Sequence, residues 1–110
     1  MAYDEALAAR IRDALANHDG IVEKKMFGGV AYMLNGNMAA GGLNDDLMVR
    51  VGPDAYEDAL NAPHTRPFDA RGGRPMRGFV AVEPAGVADD AALLDWLHKG
   101  LAFAGSLPPK

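Results

Sequence analysis

The dipeptide Asn35-Gly36 is the feature that most constrains how this chain can fold. It separates two short apolar runs, and both of its residues readily adopt the positive φ angles of a type I′ turn. The pattern therefore predicts a β-hairpin whose return strand is Met38–Gly41. Turn residues and apolar runs on either side extend it to three or four consecutive antiparallel strands: residues 22–27, 30–34, 38–41 and 47–51.

Helical patterns flank these strands. Over residues 4–16 the apolar positions recur every three or four residues, which predicts an amphipathic helix with Asp4 as its N-cap. Pro53 suits the first turn of a short second helix that ends at Asn61. Asp89 and Asp90 open a final helix that carries a continuous apolar stripe, and acidic residues at a helix start complement the helix dipole.

The segment Pro63–Arg77 has three prolines, two adjacent glycines and four arginines, and it has no apolar period. This composition predicts a surface loop, and Gly78–Val82 after it predicts one more strand. The predicted fold class is α+β, an antiparallel sheet of four to five strands flanked by helices. The predicted order is α-β-β-β-(β)-α-β-α, in a single domain over residues 1–110.

Composition argues against several classes of function. The chain has no cysteine, which removes thiolate metal sites and cysteine nucleophiles. Its three histidines lack the i, i+4 spacing of a helix-borne metal site, and Thr65 and Ser106 are its only Ser/Thr hydroxyls. We expect no catalytic residues, no metal and no cofactor. The lack of cysteine, of a signal peptide and of a long apolar run predicts a cytoplasmic protein without a membrane segment.

Positive charge is concentrated between Arg66 and Arg77, where four arginines and one aspartate contrast with the net charge of −4 of the whole chain. The planar guanidinium group suits phosphate or carboxylate. In the other interpretation, these arginines are solvated or paired with acids such as Asp69, and Phe68 alone offers a ring for stacking on bases. The candidate binding residues are basic side chains of this segment and of the first strand: Lys24, Lys25, Arg71, Arg74 and Arg77.

A second motif, Met26-Phe27-Gly28-Gly29, has two interpretations. Bare backbone N–H groups beside glycine could bind an anion or a protein partner. The glycine pair could instead allow a bulge or bend between strands, with Met26 and Phe27 packed in the core.

Several motifs, taken in order, resemble the TfoX N-terminal-domain family. They are Lys25–Gly29, Tyr32, Asn35–Met38, Leu47–Pro53, Gly73–Gly78 and the helix that contains Trp96. The resemblance covers nearly the whole chain and implies an antiparallel sheet flanked by helices, in a short stand-alone member without the family's C-terminal domain. It also implies kinship with bacterial regulators of natural competence, which are described as acting with a cyclic-AMP-responsive transcription factor.

We therefore predict a non-enzymatic regulatory or binding domain that acts through protein contacts. The partner would be a transcription factor or a second copy, since the edge strands of an open sheet can pair in a homodimer. The alternative is direct binding of nucleic acid or an anionic ligand through the Arg-Gly loop 66–78. Clustering of the basic residues on one face would favour nucleic acid, and an apolar pocket beneath the loop would favour a small ligand.

Overall fold

An antiparallel sheet forms the centre of the structure, a computed structural model that describes residues 3–26, 28–68 and 77–109. Within these residues there are six strands: β1 Ile21–Met26, β2 Gly29–Leu34, β3 Asn37–Leu43, β4 Asp46–Arg50, β5 Thr65–Pro67 and β6 Phe79–Val82. The helices are α1 Glu5–Ala14, α2 Tyr56–Leu60 and α3 Asp90–Gly105, and a 3₁₀ turn spans Pro84–Val87. The strand order across the sheet is β1-β2-β3-β4-β6-β5. The predicted α+β class is confirmed.

The predicted hairpin at Asn35-Gly36 is confirmed. Asn35 has a φ of 53° and Gly36 a φ of 85°, as the type I′ turn requires. Leu34 pairs with Asn37 immediately beside this turn, and the β2–β3 ladder continues from there.

Local capping chemistry sets the starts of α1 and α3. The Asp4 carboxylate accepts hydrogen bonds from the backbone N–H groups of Ala6 at 2.8 Å and Leu7 at 3.3 Å. The Asp89 carboxylate accepts one from Ala92 N–H at 2.7 Å. Each satisfies N–H groups that a helix start leaves unpaired.

The prediction of a surface loop over residues 63–77 is wrong where β5 lies. Thr65 and Arg66 pair with Val82 and Ala81 of β6, so the sheet has one strand more than the four to five predicted. Two strands therefore follow α2, where one was predicted. β5 has three residues, too few to show an alternating pattern, and its pairing depends on backbone groups and not on a side-chain motif.

The helices pack on one face of the sheet. Alternate residues of the central strands point toward them and are buried: Val30, Tyr32, Leu47, Val49, Val80 and Val82. The opposite face carries a smaller apolar cluster around Met48, Phe68 and Ala81. None of the helices in the described ranges is long and apolar enough to cross a membrane.

The closest approach of α3 to the sheet is at Gly100. The β2–β3 register passes from Tyr32 opposite Ala40 to Met33 opposite Met38, so Ala39 is the extra residue of a β-bulge. A Cβ atom at Gly100 would overlap the backbone carbonyl oxygen of Ala39. Gly100 therefore lets the helix backbone contact the strand backbone directly.

We predict that Gly100→Ala destabilises the fold by about 1–3 kcal/mol, because the added methyl forces α3 away from β3. The effect opposes intrinsic helix propensity, which favours alanine by about 1 kcal/mol. Gly105→Ala is the matched control, since a Cβ atom there meets only Leu34 Cδ2 at an ordinary 3.5 Å. Urea denaturation of both variants tests the prediction, and equal or higher stability of Gly100→Ala would contradict it.

Tyr32 links α1 to the first two strands. Its side chain is buried, and its hydroxyl lies 3.3 Å from the Ala8 carbonyl oxygen and 3.4 Å from Glu23 Oε2. Glu23 in turn accepts a hydrogen bond of 2.8 Å from Arg12 Nε. Burial, reinforced by the Glu23 carboxylate, raises the pKa of Tyr32 well above its ordinary value.

This raised pKa predicts an alkaline loss of stability. The unfolded tyrosine ionises near pH 10, at about its ordinary pKa, while the folded hydroxyl keeps its proton. Its contribution is therefore complete below about pH 10, and the free energy of unfolding falls above it by up to about 1.4 kcal/mol per pH unit. Tyr32→Phe removes this decline. Urea denaturation from pH 8 to 11 measures it, and identical alkaline profiles for the two proteins would contradict the assignment.

Candidate binding groove

A groove of about 660 Å³ lies between α2 and α3. Its apolar lining includes Val51, Ala59, Trp96 and Phe103. Trp96 is almost fully buried and Phe103 is half-buried. The groove thus exposes the edges of core residues along the line where the two helices meet.

Small side chains create this space. Ala55, Ala59 and Ala62 line the groove from α2 and its two ends, and Ala102 lines it from α3. Packed helices typically lie 8–10 Å apart between axes, and larger side chains fill the space between them. The single methyl group of an alanine is too short to fill that space. The volume left open is within the range of roughly 300–1,000 Å³ seen for ligand sites.

The rim of the groove is mostly acidic. Asp58 and Asp95 line it and are exposed, and Asp54 and Glu57 lie beside Asp58 in the chain. Among the described residues of the lining, Lys99 is the one basic side chain, and its Nζ atom lies 2.8 Å from Asp95 Oδ2. The hydrogen bond from Lys99 lowers the pKa of Asp95, so this carboxylate stays ionised.

Guanidinium groups stack on aromatic rings at the Phe103 end. The Cζ atom of Arg50 is 5.2 Å from the centroid of Phe103 and 5.5 Å from that of Phe79. The Cζ atom of Arg77 is 5.8 Å from the centroid of Tyr56, on α2. The described lining therefore carries two carboxylates and one lysine, and Arg50 lies against Phe103 at one end of the groove.

Comparison with known proteins places this fold in a family. The family model for the TfoX N-terminal domain matches residues 13–104. The chain belongs to the TfoX N-terminal domain family. The match begins within α1, covers every strand and both walls of the groove, and confirms the resemblance seen in the sequence. The searches among curated proteins and among solved structures gave no match.

Membership makes this chain a competence-regulator-like domain. Of the residues expected to bind in this TfoX N-terminal domain, Lys24 and Lys25 are exposed on β1, while Arg77 comes just before β6. β1 and β6 are four strand positions apart, which corresponds to about 19 Å. The structure does not bring these lysines and Arg77 together. Arg71 and Arg74 lie outside the described residues.

Arg66, at the start of the arginine-rich segment, pairs with local acids. Its guanidinium contacts the Asp46 carboxylate and lies 3.7 Å from Glu83 Oε2. A cleft of about 250 Å³ beside Arg66 and Phe68 is smaller than typical ligand pockets. The interpretation that these arginines pair with local acids therefore applies to Arg66. Asp69, the acid named in that interpretation, lies outside the described residues.

The glycine pair of the TfoX N-terminal domain has a structural explanation. Gly28 has a φ of 75° in the tight turn between β1 and β2. A Cβ atom at Gly29 would overlap the backbone carbonyl oxygen of Gly42 on β3. These constraints support the structural interpretation of the Met26–Gly29 motif. The side chains of Met26 and Phe27, which the alternative places in the core, lie outside the described part of the structure.

Sequence reasoning missed the groove and Arg50. It used Trp96 to mark the last helix of the family resemblance and did not single out the alanines of α2. The spacing of Ala55, Ala59 and Ala62, at i, i+4 and i+7, is the available signal, because it places three small residues on one helical face. Arg50 has no comparable signal in the sequence. Within the described ranges, no group of three or more acids and histidines could hold a metal ion.

Both edges of the sheet carry features that discourage pairing with another strand. β1 exposes Lys24 and Lys25, and β5 is three residues long and contains Pro67. Charge, shortness and proline are common ways in which proteins protect sheet edges. The lysines are thus accounted for by edge protection, and the homodimer stays a prediction.

We predict that Lys24→Val together with Lys25→Val increases self-association, because β1 then presents an apolar edge with open backbone groups. Sedimentation velocity over a concentration series measures the change relative to wild type. Lys24→Arg with Lys25→Arg keeps the charge and is the control. Unchanged sedimentation of the valine variant would show that the lysines do not protect this edge.

Proposed function

We propose that this TfoX N-terminal domain is a non-enzymatic regulatory module that binds a basic, amphipathic segment of a protein partner in the groove between α2 and α3. The observation that carries the proposal is an apolar groove of about 660 Å³ with an acidic rim. An amphipathic helix that lays its apolar face into such a groove is a recurring mode of peptide recognition.

The shape of the groove supports a chain segment as the occupant. Two helices form its sides, and its lining extends along α3 from Asp95 to Phe103. Eight residues of helix correspond to about 12 Å, or a little over two turns of a bound helix. Ala55 and Ala102 are exposed on opposite sides and would let a partner backbone approach closely.

The charges around the groove support a basic partner. The described lining carries Asp58, Asp95 and one basic side chain, Lys99, which already pairs with Asp95. Asp54 and Glu57 lie near Asp58 in the chain, and Arg50 lies outside the lining, against Phe103. Complementary charge speeds association and discriminates against acidic partners. Basic segments are common in DNA-binding proteins, so a transcription factor in the cytoplasm remains a suitable partner.

The titratable groups of the groove support a binding role over a catalytic one. Asp58, Asp95 and Lys99 are all exposed, and Lys99 lowers the pKa of Asp95. A general acid at neutral pH needs the opposite shift, a raised pKa produced by burial. Direct nucleic-acid binding is less well supported, because Lys24 and Lys25 lie far from Arg77 across the sheet.

A peptide titration tests the proposal. The probe is a synthetic amphipathic helix with leucine and alanine on one face and lysine on the other, and its counterpart has glutamate in place of lysine. Trp96 is the only tryptophan of the chain, so its emission reports on occupation of the groove. We expect the basic peptide to change Trp96 emission and to bind more weakly as salt increases, and the acidic peptide to do neither.

A blocking variant separates groove binding from general attraction to an acidic protein. Ala102→Phe fills the groove from an exposed position, and we expect it to weaken binding roughly tenfold or more through lost apolar contact. Ala91→Phe, also exposed on α3 but outside the groove lining, is the matched control. Equal binding by both variants, or by both peptides, would refute the proposal.

A further inference from the structure

The guanidinium of Arg50 lies close to two aromatic rings. β4 places it directly opposite Phe79 on β6, and its guanidinium also lies over Phe103, which lines the groove. Among the described residues, no carboxylate lies within ion-pair distance of Arg50 or Arg77. Arg50, a half-buried residue, therefore contacts these rings and has no carboxylate partner among the described residues.

Arg50 carries a fixed set of hydrogen-bond donors. A guanidinium has five N–H groups that lie in one plane as a rigid fork. Such a fork matches the two oxygens of a carboxylate, and a side chain already held in place loses little further freedom when it binds one. The geometry at Arg50 is thus suited to an oxyanion.

Arg77 adds a second guanidinium close by. The carbonyl oxygen of Gly78 accepts hydrogen bonds from Val51 N–H at 2.8 Å and Gly52 N–H at 3.0 Å. Arg77 is therefore attached next to the end of β4, immediately beyond Arg50. Its guanidinium lies over Tyr56 of α2, the residue that follows Ala55 of the groove lining.

The two ends of the groove differ in the charged side chains beside them. Asp95 and Phe103 are eight residues apart on α3, which corresponds to about 12 Å along the helix axis. Asp95 lies toward one end, and Arg50 lies over Phe103 at the other. A bound segment would therefore have Arg50 beside only one of its ends.

We infer that Arg50, assisted by Arg77, binds a carboxylate of the partner segment and so sets the direction in which the segment lies in the groove. This inference rests on the proposed function. It specifies the partner as a segment with basic residues toward the Asp95 end and an acidic residue about two helical turns away, at the Arg50 end.

Two amidated peptides test this inference through a double-mutant cycle. Both are basic amphipathic helices with lysine near the N-terminus, and they differ only in glutamate or glutamine eight residues further on. We expect the glutamate peptide to bind wild type about tenfold more tightly, as a charge-assisted bidentate contact allows. In Arg50→Gln this preference disappears while the affinity for the glutamine peptide stays the same.

Further variants keep the result interpretable. Arg50→Lys retains the charge but not the fork and should recover only part of the preference. Arg10→Gln removes an arginine that pairs with Asp90 at another site and should leave the preference intact. Urea denaturation verifies that each variant is folded, and the Lys variant serves in place of Arg50→Gln if the latter unfolds.

The possible outcomes separate the two proposals. Equal affinity of wild type for both peptides, or an equal loss for both peptides in Arg50→Gln, would overturn the carboxylate assignment and leave groove binding standing. Failure of both peptides to bind would overturn the proposed function and this inference with it. A phosphoserine peptide that shows the Arg50-dependent gain where the glutamate peptide shows none would also overturn it, because the site would then select phosphate.

Discussion

The contact between Gly100 and the Ala39 carbonyl determines how closely α3 can lie against the sheet. A bulge in β3 presents Ala39 to the helix, and a residue without a side chain accepts it. Protein interiors are packed almost as densely as crystals, so a displacement of one helix is transmitted to its neighbours. The depth of α3 therefore decides the positions of Trp96 and Phe103, and with them the shape of the groove.

The groove combines an apolar interior with separated charges. Short alanine side chains leave space between α2 and α3, and Trp96 and Phe103 give that space an apolar surface. Asp58 and Asp95 line it with exposed carboxylates, while Arg50 lies over Phe103 at one end. A surface of this kind can select a partner by apolar contact and can orient it by charge, without any chemical step.

Short-range chemistry explains which elements could be predicted from the sequence. Asn35-Gly36 specifies its hairpin, and Asp4 and Asp89 cap their helices, because each acts through backbone groups a few residues away. β5 could not be predicted, since its three residues depend on β6 for pairing. Pro53 was predicted to lie in the first turn of α2, but α2 begins three residues later, at Tyr56. Proline suits both a turn and the first turn of a helix, so the sequence alone could not distinguish the two.

The candidate site was predictable only in part. Arg77 was singled out for its charge, but the same reasoning grouped it with Lys24 and Lys25, which the strand order places far away. Taken alone, the sequence determined the α+β class, the family, the capped helices and the lack of thiol chemistry, because these follow from local pattern and composition. The tertiary structure decided the groove, the stacking of Arg50 and the pairing of Arg66, because each brings together residues from distant parts of the chain.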